Sequence, residues 1–300
     1  MASALLTVGI TCFREGPWLS ECWESLLAQR DDRWAAVVVL DGGGDDATRA
    51  VFEGLDHPRL VKHAMAQNVG PYPVRNKAFA LTQTPYHLYL DGDDQLTPDA
   101  VGAVLGAFAA NPEAGFVYGD YELFGERTGV QRWNPHPSWD DFVPAQPTPG
   151  PCAYKKSLWL DLGGYPAELA RGNGDYDLLI GAAERGVRGV HVDRPFYRHR
   201  VGHGRRVSGS YERRYWQTHE IMVARHPVFF ADAERRRGFL AVGYRRSVEA
   251  ALTAGAAREA ASVAARALAA GVWRSPSLWA PLVAGSWRGA LRYARSSLGR

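Results

Sequence analysis

The chain of 300 residues has no acidic side chain after Glu259, although Arg266, Arg274, Arg288, Arg292, Arg295 and Arg300 all follow it. The overall net charge is only +3, too small to argue for a nucleic-acid partner. Cysteine is scarce. Cys12, Cys22 and Cys152 form neither an even disulfide set nor a close-spaced zinc pattern. Cys22 falls on the apolar face of a predicted helix, which suits a small buried hydrophobe. No apolar run approaches the roughly 20 residues needed to span a bilayer. The opening MASALLTVGITCF has no basic n-region and no small-residue cleavage site, so it reads as a first strand. The expected location is cytoplasmic, with peripheral contact at the inner face of the membrane as an extension of it. The usual phosphate loops are missing too: there is no G-x-G-x-x-G after the first strand and no G-K-[ST].

Strand and helix signals alternate through the first 120 residues. Apolar 5-LLTVGIT-11 precedes a helix over 17–29, in which Trp18, Leu19, Cys22, Leu26 and Leu27 share a face. The run 36-AVVVL-40 has the continuous apolar character of a parallel strand buried on both faces. A helix over 45–54, a strand 59-RLVKH-63, a helix over 73–82 and the strand 86-YHLYL-90 follow. Thr97-Pro98-Asp99 reads as a helix start with Thr97 as N-cap, and 116-FVYGD-120 reads as a further strand. Repeated βα units predict an α/β fold whose mostly parallel sheet carries helices on both faces. Ligands bind such sheets beyond the carboxyl ends of the strands.

The pattern changes after residue 120. Five prolines fall between Pro135 and Pro149, which predicts an irregular loop, and a helix over 175–185 comes later. From about 212 onward the pattern is helical, with an Ala-rich stretch at 248–270 and a last helix over 276–297. The expected division is a domain over 1–225, made of a nucleotide-binding half (1–120) and an acceptor-binding half (121–225), and a helical region over 226–300. The tail interleaves Trp273, Trp279, Trp287 and Tyr293 with arginines. It could contact an anionic membrane surface, pack on the protein or join two copies as a homodimer.

The stretch 86-YHLYLDGDDQLTPDA-100 runs from an apolar strand directly into Asp91, Asp93 and Asp94. Like charges this close raise each other's pKa unless a cation or water compensates. The turn is therefore either a solvated helix cap or a cation site. Asp45 and Asp46 follow Gly42-Gly43-Gly44 and would repel a phosphate. A diphosphate bound here would need a divalent cation on Asp91 and Asp93, and Mg²⁺ typically takes one or two carboxylates plus phosphate oxygens.

Four pieces, 8-VGITCFREGPWLSECWESLLAQ-29, 37-VVVLDGGGDDAT-48, 67-QNVGPYPVRNKAFALTQTPYHLYLDGDDQLTPDAV-101 and 163-GGYPAELARGNGDYDLLIGAAERG-186, give the N-terminal half a resemblance to glycosyltransferase family 2. The resemblance implies the GT-A fold and an inverting enzyme that uses a nucleotide-diphosphate sugar, by default a UDP-sugar. It places nucleotide-sugar contacts at Thr11, Asp41, Arg75, Asp91 and Gly92, with Leu40 standing where the family has a further acid. It implies Mg²⁺ or Mn²⁺ on Asp91 and Asp93, with Asp93 the firmest ligand. It places the base that deprotonates the acceptor hydroxyl at Asp175, where the first acid of the family's Glu-Asp pair is replaced by Gly174; that change is expected to leave Asp175 less supported. A helix N-terminus there is expected to hold Asp175 ionised.

The basic segment 194-RPFYRHRVGHGRRVSGSY-211 offers His199 and His203 as metal ligands. Arg198, Arg205 and Arg206, with Asp94, are candidate contacts to diphosphate or acceptor. Two other readings stand beside the transferase: a nucleotidyltransferase, and a non-catalytic sugar-nucleotide or glycan-binding protein on the same scaffold. GITCFREG is a poor version of the triphosphate loop that the first of these needs.

Overall fold

The computed structural model describes residues 3–202 and 211–275. Nine strands and nine α-helices are traced among these residues: β1 (Leu6–Cys12), α1 (Trp18–Leu27), β2 (Trp34–Leu40), α2 (Asp46–Gly54), β3 (Leu60–Ala64), α3 (Pro71–Leu81), β4 (Tyr86–Asp91), β5 (Gln95–Leu96) and α4 (Ala100–Ala110) come first. Then follow β6 (Phe116–Gly125), β7 (Gly129–Gln131), β8 (Ala153–Lys155), α5 (Lys156–Leu162), α6 (Gly174–Glu184), β9 (Gly189–Val201), α7 (Tyr215–Arg225), α8 (Ala233–Thr253) and α9 (Ala257–Ala269).

The strands form one mixed sheet in the order β3-β2-β1-β4-β8-β6-β9-β5, with β7 paired to β6. The first four strands are parallel, as the βα alternation requires. β8 runs antiparallel to both β4 and β6, and β9 runs parallel to β6. β1 is buried along its whole length and β2 along nearly all of it, because helices cover both faces of this part of the sheet. Leu19, Cys22 and Leu26 of α1 enter the same apolar core as Val8, Ile10 and Leu90.

The start of α4 differs from the expected Thr97 cap. Helical structure begins at Ala100, and the Thr97 hydroxyl donates to the Pro195 carbonyl. The cap comes from Gln29 at the end of α1, whose Oε1 accepts from Val101 N–H at 3.0 Å and whose amide donates to the Thr97 carbonyl at 2.7 Å. A long-range side chain thus satisfies the free helix donors that a local one would otherwise meet. At α2 the cap is local. Asp45 accepts from Thr48 N–H at 2.8 Å, so one carboxylate of the Gly42–Asp46 turn has a structural task.

The chain divides into two compact units, residues 1–137 with 147–205 and residues 138–146 with 206–300. The first carries the sheet. In the second, α7 packs on α8: His219 stacks near Phe239, and Trp216 N–H donates to Ser247 Oγ. For that reason residues 211–225, grouped by sequence with the sheet domain, fall in the helical unit. The proline-rich stretch contributes to it as well, with Trp139 against Phe229 and Arg235 paired with Asp140. The Ala-rich stretch is broken at Gly255 into α8 and α9. Among the described residues no helix is long and apolar enough to cross a membrane. Trp279, Trp287 and Tyr293, like the helix expected over 276–297, lie outside the described residues, and nothing is described of the Trp273 side chain.

Candidate active site

β1 and β4 are neighbours, and their register sets the first part of the site. The Thr11 carbonyl accepts from Gly92 N–H at 2.9 Å, which continues the ladder into the acidic turn. Thr11 Oγ1 donates to Asp91 Oδ1 at 3.3 Å. Gly92 suits this crossing, since a Cβ there would lie 3.1 Å from both Thr11 O and Cys12 Cβ.

Arg75, one turn into α3, is the centre of the charge arrangement. Its Nη2 donates to both oxygens of Asp91, at 2.8 and 2.9 Å, and its Nη1 donates to Asp175 Oδ2 at 3.2 Å. The guanidinium lies over the ring of Tyr89 (4.1 Å) and near that of Tyr72 (5.1 Å). The Arg75 side chain is 8% exposed against 35% for Asp91, so the cluster opens to solvent on the Asp91 side. Burial disfavours the Arg75 charge, but the carboxylates of Asp91 and Asp175 outweigh this and its pKa lies above the ordinary value. Arg75, expected as a nucleotide contact, links two carboxylates 84 residues apart in the chain (175 − 91).

Asp175 stands in the first turn of α6 and is buried. Tyr72 OH donates to its Oδ2 at 3.2 Å, beside the Arg75 bond to the same oxygen. Its Oδ1 is buried and has no hydrogen-bond partner. The space above it is tight: a Cβ on Gly150 would lie 2.8 Å from Asp175 Oδ2 and 2.6 Å from Tyr89 OH. Burial raises the Asp175 carboxyl above the usual range. Arg75 opposes the rise, the charge of Asp91 adds to it, and the hydroxyls of Tyr165 and Tyr72 oppose it. Desolvation sets the direction of the shift at this helix start, and the Tyr72 ring fills the space beside Gly174 while its hydroxyl donates to Oδ2.

The acidic turn carries more charge than the sequence pattern singled out. Glu15, in the loop between β1 and α1, takes Phe13 N–H at 2.5 Å. Burial pushes its carboxyl up to about 7, against that hydrogen bond and with help from the charge of Asp91. Asp93 is pushed up to about 8 by burial and by the charges of Asp94, Asp91 and Glu15. Asp94 is buried and ties the turn to β9: it accepts from Tyr197 OH at 2.7 Å and from Arg200 N–H at 2.7 Å, and lies 3.0 Å from His199 Nδ1. Burial disfavours protonated His199, yet its bond to Asp94 and the charges of Asp94, Asp91 and Asp93 raise its pKa above the ordinary value.

Other candidates are placed differently. Asp41 is buried, and its two oxygens accept from Val69 N–H (2.8 Å) and Gly70 N–H (3.0 Å), fixing the entry to α3. Arg198 bonds Glu122 and Gln95, on the opposite side of β9 from His199. Its neighbour Arg200, which the sequence pattern did not single out, donates to the Asp93 carbonyl at 2.8 Å and to Glu21 at 2.5 Å. His203, Arg205 and Arg206 lie outside the described residues.

Among the described residues no group of three or more His, Cys, Asp or Glu side chains is arranged to hold a metal ion. The donors present nevertheless suit a divalent cation of the oxygen-loving kind, which takes few protein carboxylates and completes its shell with phosphate and water. Burial is the main cause of the raised carboxyls of Asp93 and Glu15, and the neighbouring carboxylate charges that add to it are what such an ion would relieve.

A parallel half-sheet with an acidic turn at the end of β4 and a buried carboxylate at the start of α6 defines the GT-A fold. Residues 7–152 match the family described as Glycosyl transferase family 2. That match spans 146 of the 300 residues, just under half of the chain. It is 29% identical over 105 residues to the teichoic acid poly(glycerol phosphate) polymerase of Staphylococcus epidermidis, a match covering 34% of this chain and 15% of that protein. Among solved structures it resembles S. aureus TarS 1–349 in complex with UDP-GlcNAc (TM-score 0.66, 17% identity, 82% of this chain and 73% of that one). It also resembles the mannosyltransferase PcManGT from Pyrobaculum calidifontis in complex with GDP-Man and Mn²⁺ (TM-score 0.55, 19% identity, 91% and 82%). At these identities the structural likeness concerns the fold.

Proposed function

We propose that this protein is an inverting glycosyltransferase that moves a sugar from a nucleoside-diphosphate sugar, by default a UDP-sugar, to an acceptor hydroxyl. The observation that carries this reading is the state of Asp175. One oxygen is held by Tyr72 and Arg75, and the other is buried, makes no hydrogen bond of regular geometry and has the Tyr165 hydroxyl facing the carboxylate. Such a carboxylate can accept one proton from a defined direction, which is the task of a general base. The burial that raises its pKa also makes it a stronger base than a solvated aspartate.

The donor lies beyond the carboxyl ends of β1, β2 and β4, the usual crevice of such a sheet. Asp91 and Asp93 would hold Mg²⁺ or Mn²⁺, with His199 alongside, and the chemistry such an ion would supply is charge neutralisation at the departing diphosphate. Arg75 keeps Asp91 and Asp175 anchored to one cation, so the donor side and the acceptor side keep a fixed spacing. Asp175 Oδ1 takes the acceptor proton as the hydroxyl attacks the anomeric carbon from the side opposite the diphosphate. Asp94 holds the end of β9 against the acidic turn through Tyr197, His199 and Arg200.

Two structural neighbours are complexes with nucleotide sugars, UDP-GlcNAc in one case and GDP-Man in the other, which supports a nucleotide-sugar donor. Against nucleotidyl transfer stands Glu15: the loop after β1, where a triphosphate would need cations, presents a carboxylate to Asp91. The purified chain incubated with UDP-, GDP- and dTDP-sugars, Mn²⁺ and a panel of hydroxyl acceptors is expected to release a nucleoside diphosphate. Release of pyrophosphate from a nucleoside triphosphate and a sugar phosphate would favour the nucleotidyltransferase instead.

A further inference from the structure

Gly174 and Tyr72 form a matched pair. A Cβ on Gly174 would lie 2.5 Å from Tyr72 Cδ1 and 2.7 Å from Cγ, so residue 174 cannot carry a side chain while the Tyr72 ring stays where it is. The ring is set by its own supports. It packs on Tyr165 at 5.0 Å between centroids. Tyr165 is in turn pinned by Asn76, whose amide donates to the Tyr165 carbonyl at 2.8 Å and whose Oδ1 accepts from Tyr165 N–H at 2.9 Å. Tyr72, Arg75 and Asn76 stand at i, i+3 and i+4 on α3 and so share one face of it. All three converge on the surroundings of Asp175.

We propose that Tyr72 is the positioning residue for Asp175, fixing Oδ2 with its hydroxyl and filling the space above Gly174, so that Oδ1 is the oxygen left to accept a proton. This rests on the reading of Asp175 as the base. A phenol is a neutral donor, so it supports the carboxylate without adding a second negative charge beside Asp91. An acid at 174 would add one, in a pocket whose only cation, among the described residues bonded to Asp175, is Arg75. The arrangement therefore replaces like-charge support with hydrogen-bond support.

The groups facing Asp175 are Tyr72 and Arg75 from α3, and Tyr89 and Asp91 from β4. Tyr121 of β6, Cys152, Tyr154 of β8 and Tyr165 complete them. Of these, Tyr72 and Arg75 donate hydrogen bonds of regular geometry to the carboxylate, both at 3.2 Å. The hydroxyl bond favours the ionised form, so its loss moves the Asp175 midpoint upward.

The test uses the full chain labelled with ¹³Cγ-aspartate, free of ligand and metal. The resonance absent from Asp175→Asn identifies Asp175 and is followed against pH in the native chain and in Tyr72→Phe. The expected midpoint in Tyr72→Phe is higher by about half a unit to one unit. Gly174→Ala, which must push the ring aside, is expected to move it the same way and serves if the first variant does not fold. A midpoint unchanged or lowered in the folded variant overturns the proposal. Transfer activity retained in Asp175→Asn would remove the base reading separately, whatever the midpoint does.

Discussion

Asp175→Asn is expected to lower transfer by about a hundred- to ten-thousandfold, the usual contribution of a general base, while nucleotide-sugar affinity stays within a few-fold. The substitution keeps the shape of the side chain, so the space beside Gly150 and the Tyr72 ring is unchanged. It removes the one property the reaction needs, a carboxylate oxygen with no partner. Donor affinity is spared because the carboxylates assigned to the donor side, Asp91 and Asp93, are untouched and Arg75 still grips Asp91 with two hydrogen bonds. Steady-state turnover and donor binding measured on the same preparation separate the two. Parallel loss of both would show that Asp175 holds the donor site together and is not the base.

Arg75→Met is expected to cost both stability and activity. The guanidinium is buried, pairs with Asp91 and Asp175, and lies against two tyrosine rings. Breaking a buried ion pair by removing one partner costs about 3–5 kcal/mol, because the other charge is left uncompensated. Here two carboxylates lose the same cation. The loss depends on pH in a definite direction. Asp175 already lies above the ordinary carboxylate range, and Arg75 is what opposes that rise. In the variant its folded-state pKa climbs further above the unfolded value, so the folded state binds the proton more tightly than the unfolded state does. The destabilisation is therefore full above the folded pKa and shrinks as pH falls toward the unfolded one. Thermal unfolding at pH 7 and pH 5 should show the gap between native and variant narrowing at the lower pH. A gap independent of pH would mean that Arg75 stabilises by packing alone. Activity is expected to fall by at least about a hundredfold at either pH, since the base then loses the cation that holds its Oδ2.

Much of this site could be read from residue order. The apolar strand ending in Asp91-Gly92-Asp93-Asp94 and the helix opening at Gly174-Asp175 both came from local patterns, strong because burial and helix starts leave marks within a few residues. The parallel half of the sheet was legible for the same reason. What escaped was long-range. Tyr72 meets Asp175 across 103 residues and Arg200 meets Glu21 across 179, and neither separation leaves a local signal. The cap of α4 went to Gln29, although Thr97 had the better local credentials. β9 did carry a readable sign: period-two alternation sends Tyr197 and His199 toward Asp94 and Arg198 toward Glu122, which a count of basic residues obscures. Glu15 was missed because a lone acid in a loop looks solvated until Gly92 and Asp91 are brought beside it.

Asp91 and Asp93 are proposed to bind a nucleoside diphosphate through a divalent cation. Calorimetric titration of UDP, GDP and dTDP into the native chain and Asp93→Asn, each with Mn²⁺ and with EDTA, tests it most directly. The expected result is binding of one nucleotide tightened at least about tenfold by Mn²⁺ in the native chain, as phosphate oxygens complete the ion's shell, with that gain lost in the variant. Equal affinity with metal and with chelator in the native chain would contradict it.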